Sequence, residues 1–137
     1  MSQFERGLSW QLPRFLGVGA CGFLTDVGVF SLLGWLDEEP LPARVVSASI
    51  AITLTWYLNR QHVFQTSGHS AHGPEYLRYL TVQAFGLIVN FGTFLFLLSR
   101  GGIFAEWPLL ALCGGAALAI AFNFLGSRYW AYRPAGE

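Results

Sequence analysis

Four arginines carry the chemistry that this sequence offers. Arg14, Arg60, Arg78 and Arg128 each stand at the edge of an apolar run, in "RFLGVGACGFL", "YLNRQHVF", "RYLTVQAFGL" and "FLGSRYWAY". A guanidinium grips a phosphate through paired, charge-assisted hydrogen bonds, and aromatic neighbours give it an apolar wall. Such a set suits a lipid phosphate whose chain stays in a bilayer. Anchoring at a membrane edge would also put arginines at these positions. Arg60 and Arg128 go further, because each follows a ridge of small and polar side chains that faces other helices. Arg14 and Arg78 stand nearer to plain anchors.

Asp26 is the one acid well inside an apolar run. A charged Asp at the centre of a membrane helix costs about 2.5–3.5 kcal/mol on insertion scales. Protonation, a partner such as Thr25, Thr55 or Asn90, or a wet cavity would offset it. As a functional residue Asp26 would couple protons or substrate; as a packing residue it would be neutral and hydrogen-bonded. Asn90, Thr55, Asn59, Asn123 and Ser127 complete the set of polar side chains expected along an interior path.

Other chemistries find little support. His69, His72 and Glu75 have a spacing open to a metal, but they sit in a Gly/Ser-rich stretch with no further ligand, which reads as a solvated loop. No phosphate-binding glycine loop, nucleophile elbow, zinc-protease motif or paired-cysteine motif occurs, so neither an enzyme nor a cofactor is expected. A net charge of zero gives no footing for nucleic acid. Cys21 and Cys113 fall inside apolar runs at different depths and read as core thiols, not a disulfide.

The elements that must position these groups are membrane helices. The 137-residue chain is of single-domain size, 53% hydrophobic and 12% charged, where a soluble domain has about 25% charged residues. Runs near the length of a bilayer span lie at about 15–36, 43–58, 79–99 and 108–125. The second is short and is expected to extend to Arg60 or beyond. Turn chemistry separates the runs: "DEEPLP", "TSGHSAHGPE" and "RGGIFAEWP", with Pro108 suited to the first turn of a helix. The long first run, followed by others of its kind, does not read as a cleavable signal.

All eight basic residues are arginine. In a four-span arrangement Arg6, Arg14, Arg60, Arg78, Arg128 and Arg133 fall on one side. Arg44 and Arg100 fall on the other, with Asp37, Glu38, Glu39 and Glu106. The positive-inside rule then puts both termini and the 61–77 loop in the cytoplasm, and Trp10, Trp35, Trp107 and Trp130 mark span ends. Residues 1–12 read as an interfacial helix or a frayed tail, 13–133 as the four-helix domain, and 134–137 as a C-terminal tail.

The domain repeats itself. At an offset of 64 residues Arg14-Phe15-Leu16 matches Arg78-Tyr79-Leu80, and Val18, Gly22, Asp26, Gly28 and Phe30 match Val82, Gly86, Asn90, Gly92 and Phe94. At an offset of 68, Ala43, Ser47, Ala51, Thr55 and Asn59 match Ala111, Gly115, Ala119, Asn123 and Ser127, and Arg60 and Phe64 match Arg128 and Tyr132. Each five-residue set advances by four, forming a ridge that lets membrane helices approach closely. The fold expected is therefore an all-α membrane protein: four transmembrane helices as two parallel-repeat hairpins, about 14–64 and 78–132, related by an axis along the membrane normal.

Taken in order, "RFLGVGACGFLTDVGVFSLL", "NRQHVF", "RYLTVQAFGLIVNFGTFLFLL" and "NFLGSRYWAYR" resemble the GtrA-like family of small bacterial membrane proteins. The likeness spans roughly residues 13–133. His62 stands where that family has an aromatic residue, and Ser127 where it has Asn. The resemblance implies a multi-pass protein of the bacterial cytoplasmic membrane that moves a polyprenyl-phosphate-linked sugar, or its carrier, to the outer leaflet for polysaccharide or glycolipid synthesis. It implies a partner glycosyltransferase that makes the lipid-linked sugar. Arg14, Arg60, Arg78 and Arg128 would receive the lipid phosphate.

Two other functions compete with transport of a lipid-linked sugar. One is a scaffold that anchors or activates a glycosyltransferase without transport. The other is a proton-coupled exporter like the four-span small multidrug transporters, which would need an essential membrane carboxylate; the neutral Asn90 opposite Asp26 in the repeat counts against it. Four short helices enclose little volume, so a sugar path would draw on a homodimer, with the ridges as its contact surfaces.

Overall fold

The computed structural model describes residues 3–37, 39–66 and 72–132. Five α-helices and two short π-helical turns account for nearly all of them: α1 (Gln3–Trp35), α2 (Pro40–Leu58), π1 (Asn59–Val63), α3 (His72–Ser99), α4 (Ile103–Glu106), α5 (Pro108–Gly126) and π2 (Ser127–Ala131). No strand occurs among the described residues. The apolar runs are helical because a helix satisfies its own backbone polar groups without water.

The duplication is written into the element boundaries. α2 and α5 both have 19 residues, both open with proline in the first turn, and both pass directly into a five-residue π turn. The π turns are closed by equivalent bonds, Phe64 N–H to the Asn59 carbonyl at 2.9 Å and Tyr132 N–H to the Ser127 carbonyl at 3.0 Å. A π turn accommodates one extra residue relative to an α-turn and is a recurrent feature of functional sites.

The chain divides into two compact units, 1–68 and 69–137. In the first, α1 packs antiparallel against α2 and π1. Asp26 meets Arg44 near one end of the pair, and Arg14 meets the His62 carbonyl at the other. The ridge of α2 is the contact surface: Ala43, Ser47, Ala51 and Asn59 are buried, together with Phe15 and Val18 from α1 and Val63 from π1. A Cβ on Gly22 would stand 2.2 Å from Thr55 Cγ2, so glycine is what lets the helices meet there.

The second unit repeats this plan with α3, α5 and π2. Ala111, Ala119 and Ser127 are buried along α5 and π2, and Tyr79 and Val82 along α3, with Val82 against Gly126. Gly86 receives Asn123 as Gly22 receives Thr55, and a Cβ there would lie 1.8 Å from Asn123 Oδ1. Gly101 and Gly102, with φ of 66° and 56°, supply the left-handed turn that leads into α4.

Large apolar side chains cover the outside: Phe23, Leu24, Trp35, Ile88, Phe96 and Leu109 are all exposed. A water-soluble chain of this size could not carry such a surface, and this is a membrane protein. Three helical segments are long and apolar enough to cross a bilayer: Ser9–Trp35, His72–Ser99 and Pro108–Ala131. α2 falls short of that measure, weighed down by Arg44, two serines and two threonines.

Several details depart from the sequence reading. α1 runs unbroken from Gln3, through Pro13, where the sequence suggests a separate N-terminal segment. α3 starts at His72, seven residues before the expected span, so His72 and Glu75 belong to a helix and not to a loop. Cys21 and Cys113 are free, as expected, but exposed on the outer surface, not core thiols. Hydropathy marks a run as apolar without saying which side of the helix faces lipid. Arg133, the 134–137 tail and His69 lie outside the described residues.

Candidate functional site

Each unit sets its two conspicuous arginines at the end of its hairpin that carries the π turn. In the first unit, Arg14 Nη1 donates a hydrogen bond to the His62 carbonyl at 3.1 Å, and its guanidinium lies 4.5 Å from the centroid of the Trp10 ring. Arg60, second residue of π1, is buried, 8% exposed. Its neighbour Asn59 is buried at 2%, with Oδ1 lacking a hydrogen-bond partner. The Phe15 and Phe64 rings meet edge-on at 6.3 Å and close the turn against α1.

The second unit has the same parts. Arg128 is the second residue of π2 and half-buried, its guanidinium 5.6 Å from the Tyr129 ring centroid. Arg78 is half-buried on α3, beside Tyr79, whose ring meets Tyr132 at 5.8 Å. Ser127, at the position of Asn59, is fully buried and its Oγ has no partner. Holding arginines among aromatic rings on a turn fixed to a second helix cuts the entropy lost when an anion is bound. The second unit adds hydrogen-bonding groups. Asn123 Nδ2 donates to Gln83 Oε1 at 3.3 Å, and Glu75, at the start of α3, is buried at 1% exposure.

Asp26 is not partnered by Thr25, Thr55 or Asn90. Thr25 Oγ1 donates to the Cys21 carbonyl and Thr55 Oγ1 to the Ile52 carbonyl, each within its own helix. The partner is Arg44, whose guanidinium reaches Asp26 Oδ2 at 2.5 Å. The sequence reading puts Arg44 at the start of the second run, on the far side of the four-span arrangement, and does not pair it with Asp26. It misses that a long side chain can lie back along the neighbouring helix. Asn90 instead lies where a Cβ on Gly115 would stand 2.6 Å from its carbonyl oxygen, so it marks a close helix crossing.

Glu75 and Gln83 are also missed as interior groups. The signal is there: Glu75, Tyr79 and Gln83 recur at i, i+4 and i+8, one face of α3. Among the described residues no cluster of His, Cys, Asp and Glu could hold a metal ion.

The described residues thus form two helical hairpins of a membrane protein, each with an arginine on its π turn. The chain belongs to the family described as "GtrA/DPMS, transmembrane domain", whose model matches residues 14–133. It is also similar to a Bacillus subtilis (strain 168) protein named "Uncharacterized membrane protein YngA". The two are 30% identical over 121 residues, 88% of this chain and 78% of that one.

Proposed function

We propose that this protein moves a polyprenyl-phosphate-linked sugar, or the lipid carrier, across the bacterial cytoplasmic membrane for surface polysaccharide or glycolipid synthesis. Family membership supports lipid-linked sugar as the substrate class. The observation that carries the reading is the pair of equivalent π turns, each presenting an arginine, Arg60 and Arg128, beside a buried acceptor at the end of an apolar hairpin. A guanidinium there can take a phosphate while the polyprenyl chain stays against the exposed aliphatic surface.

In this reading α2 crosses the bilayer with the other three long helices, and both termini and both π turns face the cytoplasm. Its hydroxyls favour this. Ser49 Oγ and Thr53 Oγ1 each donate to the carbonyl four residues back, and Ser47 and Thr55 to the carbonyl three back, so lipid meets few bare polar groups. The arginines then bind phosphate at the inner leaflet, and a glycosyltransferase working on that side supplies the loaded lipid.

The test is transfer of labelled polyprenyl-phosphate sugar across liposomes that contain the purified protein, with Arg60→Ala and Arg128→Ala as variants. Transport by the parent and its loss in both variants, with insertion unchanged, is the expected result. A protein that moves no lipid yet raises the activity of a co-reconstituted glycosyltransferase would establish the scaffold in its place.

A further inference from the structure

The two hairpins share their arginines but differ in what surrounds them. On α3, Glu75, Tyr79 and Gln83 occupy successive turns of one face, where α1 has Gln11, Phe15 and Gly19. Across from them stand Asn123, Ser127 and Tyr132, where the first hairpin has Thr55, Asn59 and Phe64. At the equivalent end of its own hairpin the second unit thus carries two phenols, an amide and a carboxylate in place of two bare rings, a glycine and a glutamine. The first unit's Thr55 turns its hydroxyl back to its own helix, on the Ile52 carbonyl at 2.9 Å. Asn123 instead reaches across to Gln83 at 3.3 Å.

This polar interior has acceptors to spare. Ser127 Oγ, fully buried, and Asn123 Oδ1 stand one turn apart on α5 and π2 with no hydrogen-bond partner among the described residues. Buried acceptors without a donor are costly and rare. An amide oxygen and a serine hydroxyl can each take a hydrogen bond from a sugar hydroxyl. Gln83 has its Oε1 engaged by Asn123, which leaves its amide N–H groups as the donors that a hydroxyl oxygen needs.

We infer that the second hairpin holds the hydroxyl-reading subsite of the transported headgroup, with Gln83, Asn123 and Ser127 as its hydrogen-bonding groups. The first hairpin has no counterpart of the Gln83–Asn123 pair, since Gly19 and Thr55 stand in its place. The inference rests on the proposed transport of a lipid-linked sugar. It assigns recognition of the sugar, as distinct from the phosphate, to one half of a duplicated fold.

The experiment compares binding of two probes to the full-length protein in nanodiscs: a polyprenyl phosphate, and the same lipid carrying a neutral hexose. The variants are Gln83→Ala and Asn123→Thr, the latter a residue that fits against Gly22 in the first hairpin. The parent should prefer the glycosylated lipid, and each variant should lose about tenfold of that preference, with affinity for the bare phosphate unchanged. Tyr79→Phe, which also copies the first hairpin, guards against misfolding of the other two; it should weaken the preference less. Equal binding of both lipids by the parent, as water-filled acceptors would give, overturns the inference. So do variants that keep the preference. A parent that binds neither lipid would instead bring down the proposed function itself.

Discussion

Asp26 on α1 and Arg44 on α2 form an ion pair across the first hairpin, with side chains 17% and 57% exposed respectively. The second hairpin has Asn90 and Leu112 at the equivalent places, so both charges are absent together. A pair kept or lost as a unit behaves as one structural clamp. Removing Arg44 strands a carboxylate beside a helix, whereas removing Asp26 leaves a guanidinium that can reach the interface. Arg44→Leu should therefore destabilise the protein by about 2–4 kcal/mol and Asp26→Asn by about 1 kcal/mol. The double variant, which copies the second hairpin, should recover most of the loss. Reversible unfolding in mixed micelles measures all three; a double variant as unstable as Arg44→Leu rules the clamp out.

The same double variant separates two functions. A proton-coupled exporter would lose all activity with Asp26. Lipid transport through the π-turn end should continue at a rate within about threefold of the parent, because the pair lies toward the other end of the hairpin. Loss of transport by a stable double variant would return Asp26 to the mechanism.

Glycine replacements should rank by what a new Cβ meets. At Gly115 it would stand 2.6 Å from the Asn90 carbonyl oxygen, which is backbone and cannot step aside. At Gly22 it meets the end of the Thr55 side chain, which can rotate, and at Gly28 and Gly92 it meets nothing within 4 Å. Gly115→Ala should cost about 2–3 kcal/mol and Gly22→Ala about 1 kcal/mol, while Gly28→Ala and Gly92→Ala should be neutral or slightly stabilising. An inverted order in the same unfolding measurement would mean that the helices do not cross at these points.

Much of this plan is legible in the sequence, because small residues at i, i+4 can face only another helix. The ridge Ala43–Ser47–Ala51 and its copy Ala111–Gly115–Ala119 are buried as their spacing requires. The π turns are not legible. Their five residues differ from an α-helix by one hydrogen-bond register, and neither hydropathy nor periodicity over so short a stretch reports it. Arg44 is hidden for another reason. Its place in the chain fixes where its Cα lies, whereas its charge sits several ångströms away at the tip of a flexible stem. Glu75 is hidden by the glycine and serine before it, which make the first turn of α3 resemble loop.

The extra residue in each π turn gives a deletion test. Removing Gln61 from π1 takes out the extra residue, so the turn can close as an α-turn with the Phe64 N–H still on the Asn59 carbonyl, now four residues back. Val63, fully buried, and Phe64, packed on Phe15, then keep their places, and the change falls on the narrowed turn that carries Arg60. The deletion should abolish transport and leave membrane insertion and helix content intact by circular dichroism. Removing Tyr129 from π2 should do the same. Normal transport by either deletion would mean that the π register is not needed to seat its arginine.

The number of crossings turns on α2. Its 19 residues make a rod of about 28 Å, close to the thickness of a bilayer core, and π1 lengthens it. It packs antiparallel along α1, which is long and apolar enough to span, so wherever α1 goes α2 returns. Its lower hydropathy comes from hydroxyls bonded to their own backbone and from Arg44, neutralised by Asp26. Single cysteines in a background with Cys21 and Cys113 replaced by alanine can decide the matter. Cysteine at Asp37 or Gly102 should react with an impermeant maleimide on intact cells, and cysteine at Gln65 or Ser9 only after permeabilisation. Labelling of the Gln65 position from outside would leave three crossings, put the termini on opposite sides and remove the π1 arginine from the inner leaflet.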